Sequence, residues 1–124
     1  MSYQRTVLVS YTLCLLALLV NSAIAQTVAE KSIDQLIAQS SAAEANDRRD
    51  AVYELVKRGD TSRAVIDALL VASNDKDVQV RIQGLTGLAR AGSAAESAVD
   101  TLMQRMDERD NQVRLRAADA LGKI

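Results

Sequence analysis

Acidic side chains recur at one spacing along the chain and are the first residues that could do chemistry. Asp34, Asp67 and Asp100 follow one another at equal intervals and fall early in segments whose apolar pattern predicts helices. General acid–base catalysis by a carboxylate needs a second group, and the sequence contains no histidine. A carboxylate in the first turn of a helix also interacts favourably with the helix dipole. We therefore interpret this acidic row as structural and predict no catalytic residue.

Two acidic segments resemble calcium loops only superficially. Residues 74–77 read Asn-Asp-Lys-Asp and residues 107–110 read Asp-Glu-Arg-Asp. Neither contains the glycine and the distal glutamate that an EF-hand needs. The single cysteine, Cys14, lies in the N-terminal segment, so the rest of the chain offers no thiolate for catalysis or for zinc. The sequence predicts neither a metal nor a cofactor.

The overall charge and composition exclude further classes of protein. The formal net charge is −1 at neutral pH, which disfavours a nucleic-acid reader with a strong phosphate footprint. Tryptophan, phenylalanine and proline are absent, so stacking platforms for bases and polyproline motifs are not expected. These features favour a non-enzymatic protein that binds no nucleic acid.

The first 25 residues have the pattern of a secretory signal peptide. Arg5 precedes an apolar run from residue 7 to residue 20, and residues 23–25 form a small-x-small site, Ala-Ile-Ala. The alternative is a membrane anchor, but a span needs about 20 apolar residues, and Ser10 and Thr12 interrupt this run. We therefore predict a signal peptide at residues 1–25, cleavage before Gln26, no stable membrane span afterwards, and a periplasmic or secreted protein.

A repeat organises the remaining chain, and its period of about 33 residues falls in the range typical of solenoids. The segment from Asp77 to Gly92 returns from Asp110 onward, and a fixed period indicates one structural unit stacked on copies of itself. The domain is expected at residues 26–124, with repeats at about 27–59, 60–92 and 93–124. First helices are predicted at 28–40, 61–73 and 94–106, and second helices at 46–58, 78–91 and 111–124.

Residues at the predicted helix ends repeat at the same phase. Thr27, Asp60 and Ser93 are the expected N-caps of the first helices, with capping boxes completed by Glu30 and Glu96. Gly59 and Gly92 are expected to end the second helices. The apolar slots predict that Leu69, Leu88, Leu102 and Leu121 are buried, and that small residues such as Gly84 let helices approach closely.

The pattern of these residues resembles the HEAT-repeat family. It is most similar to the short type of HEAT repeat that occurs in proteins like the phycobilisome lyases. The resemblance covers residues 27–124 and rests on Asp77, Val80 and Arg81, and on their repetition in Asp110, Val113-Arg114, Ala117-Ala118 and Leu121-Gly122. It implies an all-α superhelix of three two-helix repeats. It also implies that Arg48, Arg81 and Arg114 connect successive repeats through an aspartate between the helices.

In such arrays the second helices line the concave surface, where protein partners commonly bind. The positions opposite the apolar slots give the candidate binding surface: Arg49, Tyr53, Lys57, Ile82, Thr86, Arg90, Leu115, Asp119 and Lys123. Ile82 and Leu115 are large aliphatic residues that we expect to face solvent. The cations Lys57, Arg90 and Lys123 fall in the last turn of each helix, which favours a structural role at the dipole.

The sequence thus predicts an exported, non-enzymatic scaffold that binds a protein partner. Two alternatives stay open, namely an accessory module or N-terminal fragment of a larger envelope protein, and a protein like the chromophore lyases. No polar capping helix follows the third repeat, so we expect self-association or fraying at residues 111–124.

Overall fold

The computed structural model describes residue 9, residues 11–20 and residues 30–124, in two units, Met1–Lys31 and Ser32–Ile124. In the first unit, residues 11–20 form a helix with exposed side chains. None of the described helices is long and apolar enough to cross a membrane. The predicted cleavage site before Gln26 and the predicted N-cap Thr27 lie outside the described residues.

The second unit is helical, and its described residues include no strand. The first helices of the three repeats are α1 (Ile33–Gln39), α3 (Arg63–Ala72) and α5 (Val99–Arg105). The second helices are α2 (Ala45–Arg58), α4 (Val78–Ala91) and α6 (Asn111–Lys123). A 3₁₀ helix, Gly92–Ala98, precedes α5. The predicted all-α solenoid of three helix pairs is confirmed.

The second helices begin and end close to their predicted bounds. Asp77 and Asp110 are N-caps, and each accepts hydrogen bonds from the second and third N–H groups of its helix. Glu44, at the same position before α2, makes no such bond. Gly59 ends α2 with φ 67° and ψ 22°, the left-handed conformation that only glycine adopts without cost. Gly92 also has a positive φ but turns directly into the 3₁₀ helix.

The N-caps that were predicted for the first helices differ from the observed ones. Ser32 caps α1 through a capping box with Gln35, so Glu30 completes no cap. The N-cap of α3 is Ser62, whose N–H donates to Asp60 Oδ1 at 2.7 Å. Asp60 therefore shapes the turn before the helix.

The predicted cap Ser93 lies within the 3₁₀ helix, and Glu96 completes no capping box there. The segment is kinked at Ala95, whose backbone has φ −97° and ψ 21°, outside the helical range. Ala95 and Ala98 are both fully buried, which the capping pattern does not reveal.

One continuous core joins the repeats, and all six helices contribute large buried residues to it. They include Leu36, Val52, Leu55, Ile66, Leu85, Leu88, Leu102 and Val113. Residue contacts between successive second helices are more extensive than those between first helices. The second helices therefore form a continuous layer of closely packed helices along the repeats.

Glycine allows the two helices of the middle repeat to pack closely. A Cβ atom on Gly84 would lie 2.7 Å from the backbone nitrogen of Ser73 and 2.9 Å from the carbonyl oxygen of Leu69. The prediction of a close approach at this position is confirmed.

Leu69, Leu88 and Leu102 are buried as predicted, but Leu121 is only half-buried. Ala118, one turn earlier, is exposed. Among the described residues, no element covers this side of α6, and the prediction of a buried Leu121 was wrong for that reason.

Candidate partner-binding surface

The nine predicted surface residues lie on the three second helices at equivalent positions. We call them the second-helix surface, with Arg49, Tyr53 and Lys57 on α2, Ile82, Thr86 and Arg90 on α4, and Leu115, Asp119 and Lys123 on α6. Because these helices pack side by side, the three groups form adjacent parts of one layer.

Large apolar side chains are exposed on α2 and α6, the first and last of the three second helices. Tyr53 is 56% exposed and Leu115 is 57% exposed. On the middle helix, Ile82 is half-buried and packs against the core, and Thr86 Oγ1 donates a hydrogen bond to the Ile82 carbonyl at 2.8 Å. The expectation that Ile82 faces solvent was wrong. Helix α4 packs between α2 and α6, and these two neighbours reduce the part of its surface that solvent can reach.

The basic row on this surface is largely paired within its own helices. Lys57 Nζ lies 3.5 Å from Glu54 Oε1, and Lys123 Nζ lies 3.0 Å from Asp119 Oδ2. Arg90 is exposed and forms no ion pair with the described residues. All three cations are in the last turn of their helix, as predicted, where they interact favourably with its dipole.

Arg49 contributes to the junction between repeats and is not a free cation of the surface. Its Nε donates to Asp77 Oδ1 at 3.0 Å, and its Nη1 donates to Asn46 Oδ1 at 3.2 Å. Asp77 thus caps α4 and accepts from a side chain of the preceding repeat.

Arg48 makes the most extensive set of polar contacts between two repeats. Its Nε and Nη2 donate to the two carboxylate oxygens of Asp75, at 2.7 and 3.0 Å. Its Nη1 donates to the carbonyls of Ala42 and Ala43, at 2.9 and 2.7 Å. A planar guanidinium suits this fork of acceptors, because it offers five donors in a fixed geometry.

The same arrangement returns in the second repeat. Arg81 Nη1 donates to the carbonyls of Asp75 and Lys76, at 2.8 and 3.3 Å, and its Nη2 lies 3.0 Å from Glu108 Oε1. Each of these arginines therefore fixes the loop of its own repeat and binds a carboxylate in the loop of the next.

Arg114 completes only the first half of this pattern. Its Nη1 donates to the carbonyls of Glu108 and Arg109, both at 2.9 Å, and its Nη2 donates to Asn111 Oδ1 at 3.0 Å. The connection through an inter-helix aspartate that the resemblance implied is confirmed for Arg48 only, because Arg81 binds a glutamate and the contacts of Arg114 stay within its own repeat. The resemblance did not identify Glu108 as an acceptor, although Glu108 follows Arg81 at the same interval by which Asp75 follows Arg48.

The carboxylates at this junction are stabilised in their charged form. The hydrogen bond from Arg49 lowers the pKa of Asp77 far below its usual value, aided by the N–H groups of Val80 and Gln79 and opposed by partial burial. For Asp75, burial raises the pKa, but the hydrogen bonds from Arg48 and from the Asp77 N–H outweigh it, so the pKa is lowered. Both carboxylates are ionised at neutral pH and engaged in structural contacts.

No part of the described chain gathers residues suited to hold a metal ion. Within residues 30–124 and the helix at 11–20, no cluster of acidic residues and cysteine has a suitable arrangement. The acidic loops are occupied instead by the contacts of Asp75, Asp77 and Glu108 with arginines. In the predicted acidic row, Asp67 pairs with Arg63 at 3.1 Å on the exposed face of α3.

Comparison with known families gives one finding that bears on this surface. A family model described as HEAT repeats matches residues 33–122, which include almost all of the six helices. The comparison with curated proteins gives no match.

Proposed function

The chain belongs to the HEAT-repeat family, and from this premise we propose that it is a scaffold that binds a protein partner along the second-helix surface. HEAT repeats generally mediate protein–protein interaction, and the family is typically non-enzymatic. The proposal assigns this general role to one surface of this chain.

The exposure of Tyr53 and Leu115 is the observation that carries the proposal. Both are large side chains with more than half of their surface accessible, and both project from the layer of second helices. Aromatic residues are enriched among the residues that dominate binding energy, because they bury a large area at little cost in conformational entropy. The paired charges around them, Lys57 with Glu54 and Lys123 with Asp119, resemble the polar rim of an interface.

We further propose that this scaffold acts outside the cytoplasm, in the periplasm or after secretion. Arg5, the apolar run at residues 7–20 and the small-x-small site at residues 23–25 support this location. The motif Val113-Arg114 followed by Ala117-Ala118 and Leu121-Gly122 supports the short repeat subtype named above.

Site-directed photocrosslinking in the producing cell tests the partner-binding surface. A photoreactive amino acid replaces Tyr53 in one variant and Leu115 in a second. The matched control carries it at Val71, which is 63% exposed on the first helix α3. We expect the same protein to be crosslinked from both second-helix positions and not from Val71. Equal crosslinking from all three positions, or none from the two second-helix positions, would contradict the proposal.

A further inference from the structure

Arg116 is an arginine of α6 that has none of the acceptors found around the junction arginines. It is half-buried, and its Nε is buried. It forms no hydrogen bond or ion pair with the described residues. By contrast, Arg48, Arg81 and Arg114 each bind at least two acceptors. Removing a guanidinium from water without giving it an acceptor costs free energy. Arg116 therefore keeps donors that an anion from outside the chain can engage.

The position of Arg116 places it beside the second-helix surface, on the side of α6 that packs against α4. Ala120, one turn later, is fully buried and has the repeat position of Gly87. Gly87 in turn packs against Val56 of the preceding second helix. Lys123 is two turns after Arg116 and is exposed. Residues at these spacings share one side of a helix, so Arg116 borders the line where α4 and α6 meet.

The stacking of the repeats does not require a cation at the position of Arg116. The equivalent residues are Asp50 in α2 and Gln83 in α4, so the charge differs in every repeat. Arg58 is also half-buried without an acceptor, but it has the place of Ala91, which packs against the core. Arg116 is therefore a departure from the repeat that stacking does not explain.

The charges of α4 and α6 are mostly positive. These two helices contain five basic residues and one acidic residue, Asp119. Asp119 already pairs with Lys123 at 3.0 Å. Arg90 on α4 is exposed and, like Arg116, has no carboxylate partner among the described residues. In contrast, α2 contains four basic and three acidic residues. A ligand across α4 and α6 thus meets two cations that no carboxylate of the described chain neutralises.

We propose that an acidic segment of the protein partner binds where α4 and α6 meet, with one of its carboxylates accepting hydrogen bonds from Arg116. A guanidinium can donate two parallel hydrogen bonds to a carboxylate, which fixes the direction of the contact. Arg90 neutralises a further carboxylate of the same segment. The inference rests on the proposed function, because it assigns the partner's chemistry at the second-helix surface. A nucleic acid is disfavoured, since the chain has a net charge of −1.

Fluorescence anisotropy of a short fluorescein-labelled oligoglutamate peptide, titrated with the full chain, tests the inference. We expect binding at low salt that weakens as salt is added, because exposed charges are screened. Arg116→Gln should weaken binding about tenfold, since it removes hydrogen bonds to a charged group. Arg116→Lys keeps the charge and should restore part of the affinity. The control Arg63→Gln removes a charge on α3, where the side chain is 81% exposed, and should leave binding unchanged.

A purely structural role of Arg116 would give a different result. Since Arg116 has no described partner to lose, Arg116→Gln should leave the urea midpoint of the free protein unchanged. A large loss of stability in this variant would overturn the inference. So would a wild-type chain that does not bind the peptide, or peptide binding that is equal in Arg116→Gln and wild type. A labelled oligothymidine that binds more tightly than the peptide would assign the cations to a nucleic acid and overturn it as well.

Photocrosslinking separates this inference from the proposed function. The photoreactive amino acid at Leu115 is combined with Arg116→Glu, which should strongly reduce the crosslink to the partner because it places like charges together. An undiminished crosslink would overturn the acidic-segment inference and leave the proposed binding surface intact. The absence of any crosslink from Tyr53 and Leu115 in the otherwise unchanged chain would instead contradict the proposed function itself.

Discussion

Arg48 and Asp75 are 27 residues apart in the sequence and form a two-pronged ion pair that joins the first repeat to the second. Arg81 and Glu108 join the second repeat to the third at the same spacing. Both pairs are shielded from solvent, since the side chains of Arg48 and Asp75 are 6% and 11% exposed and those of Arg81 and Glu108 are 16% and 21% exposed. Polar contacts therefore fix how neighbouring repeats meet, in addition to the apolar core between them.

Removing the acceptor of this pair should destabilise the protein. We expect Asp75→Ala to lower the unfolding free energy by about 1–3 kcal/mol, because it leaves buried guanidinium donors without their carboxylate. Chemical denaturation measures this loss. The matched control is Asp67→Ala, which breaks the exposed pair with Arg63 and should cost about 0.3–0.5 kcal/mol. Equal losses would show that the junction pair has no special role.

Acid should weaken the same junction. The pKa values of Asp75 and Asp77 are lowered in the folded protein, so the unfolded chain binds protons more readily than the folded one. Their stabilisation is fully present above the ordinary aspartate pKa of about 4, and it is lost as the pH falls from there through the folded values. Urea unfolding at several pH values should therefore show a steep loss of stability only on the acidic side of this range.

A double variant provides the control for this pH dependence. Asp75→Asn combined with Asp77→Asn removes both titrating groups, so stability should be lower at neutral pH and should fall less in acid. A residual decrease is expected from Asp60, whose pKa is lowered by its hydrogen bonds with Ser62. An undiminished decrease in the double variant would assign the acid sensitivity to other groups.

Three aliphatic residues of the second helices should differ in their contribution to stability. Leu88→Ala removes a fully buried side chain and should cost about 2–5 kcal/mol. Ile82→Ala removes a half-buried one and should cost about 1–2 kcal/mol. Leu115→Ala, at the position equivalent to Ile82, should cost less than about 0.5 kcal/mol because its side chain is exposed. Denaturation midpoints that did not follow this order would contradict the burial pattern.

Replacing Gly84 and Gly122 by alanine should change the stability of the protein in opposite directions, because the surroundings of these two glycines differ. Gly84→Ala brings a methyl group against the backbone of α3, and we expect a loss of about 1–3 kcal/mol. Gly122→Ala meets no atom within 4 Å, so the higher helix propensity of alanine should stabilise α6 by up to about 1 kcal/mol. Thermal unfolding of both variants tests the signs, and a stabilised Gly84→Ala would refute the close approach.

The mature protein should begin at Gln26. This follows from the small-x-small site at residues 23–25, which would be cleaved during export. Intact-mass measurement of protein recovered from the periplasm or the medium gives the N-terminus directly. A control with Ala25→Leu should accumulate the uncleaved chain. Mature protein that still carries Met1 would exclude cleavage.

The solenoid was predictable because a fixed period constrains every second helix in the same way. Asp77 and Asp110 cap equivalent helices, and the buried slots at Leu55 and Leu88 are also equivalent. The first helices were less predictable, because their starts depend on tertiary packing. Ser93 has the chemistry of an N-cap, but it lies within a 3₁₀ helix in which Ala95 and Ala98 are fully buried.

The sequence placed the nine residues of the candidate surface on the second helices, but it did not predict how exposed each side chain is. A helical wheel assigns Ile82 and Leu115 to the same side of their helices, and it contains no information about neighbours. Ile82 is half-buried because α4 has another helix on each side, whereas Leu115 lies on α6, which is flanked on one side within the described residues. The pairing of Arg81 with Glu108 leaves one signal in the sequence. A carboxylate follows each of the two arginines Arg48 and Arg81 at the same interval, in the next inter-helix loop.

The enclosure of α4 has a consequence for recognition. Only Gln79 and Arg90 of this helix are exposed, while Tyr53 and Leu115 project from the helices beside it. A ligand lying across the three second helices would therefore meet two separate apolar contact sites, Tyr53 and Leu115, with a polar stretch between them. Such a ligand binds with higher affinity when it contacts both side chains at once, because the second contact forms at a high effective concentration after the first. Loss of either contact site would then reduce the affinity for the ligand far more than the surface area buried by one side chain suggests.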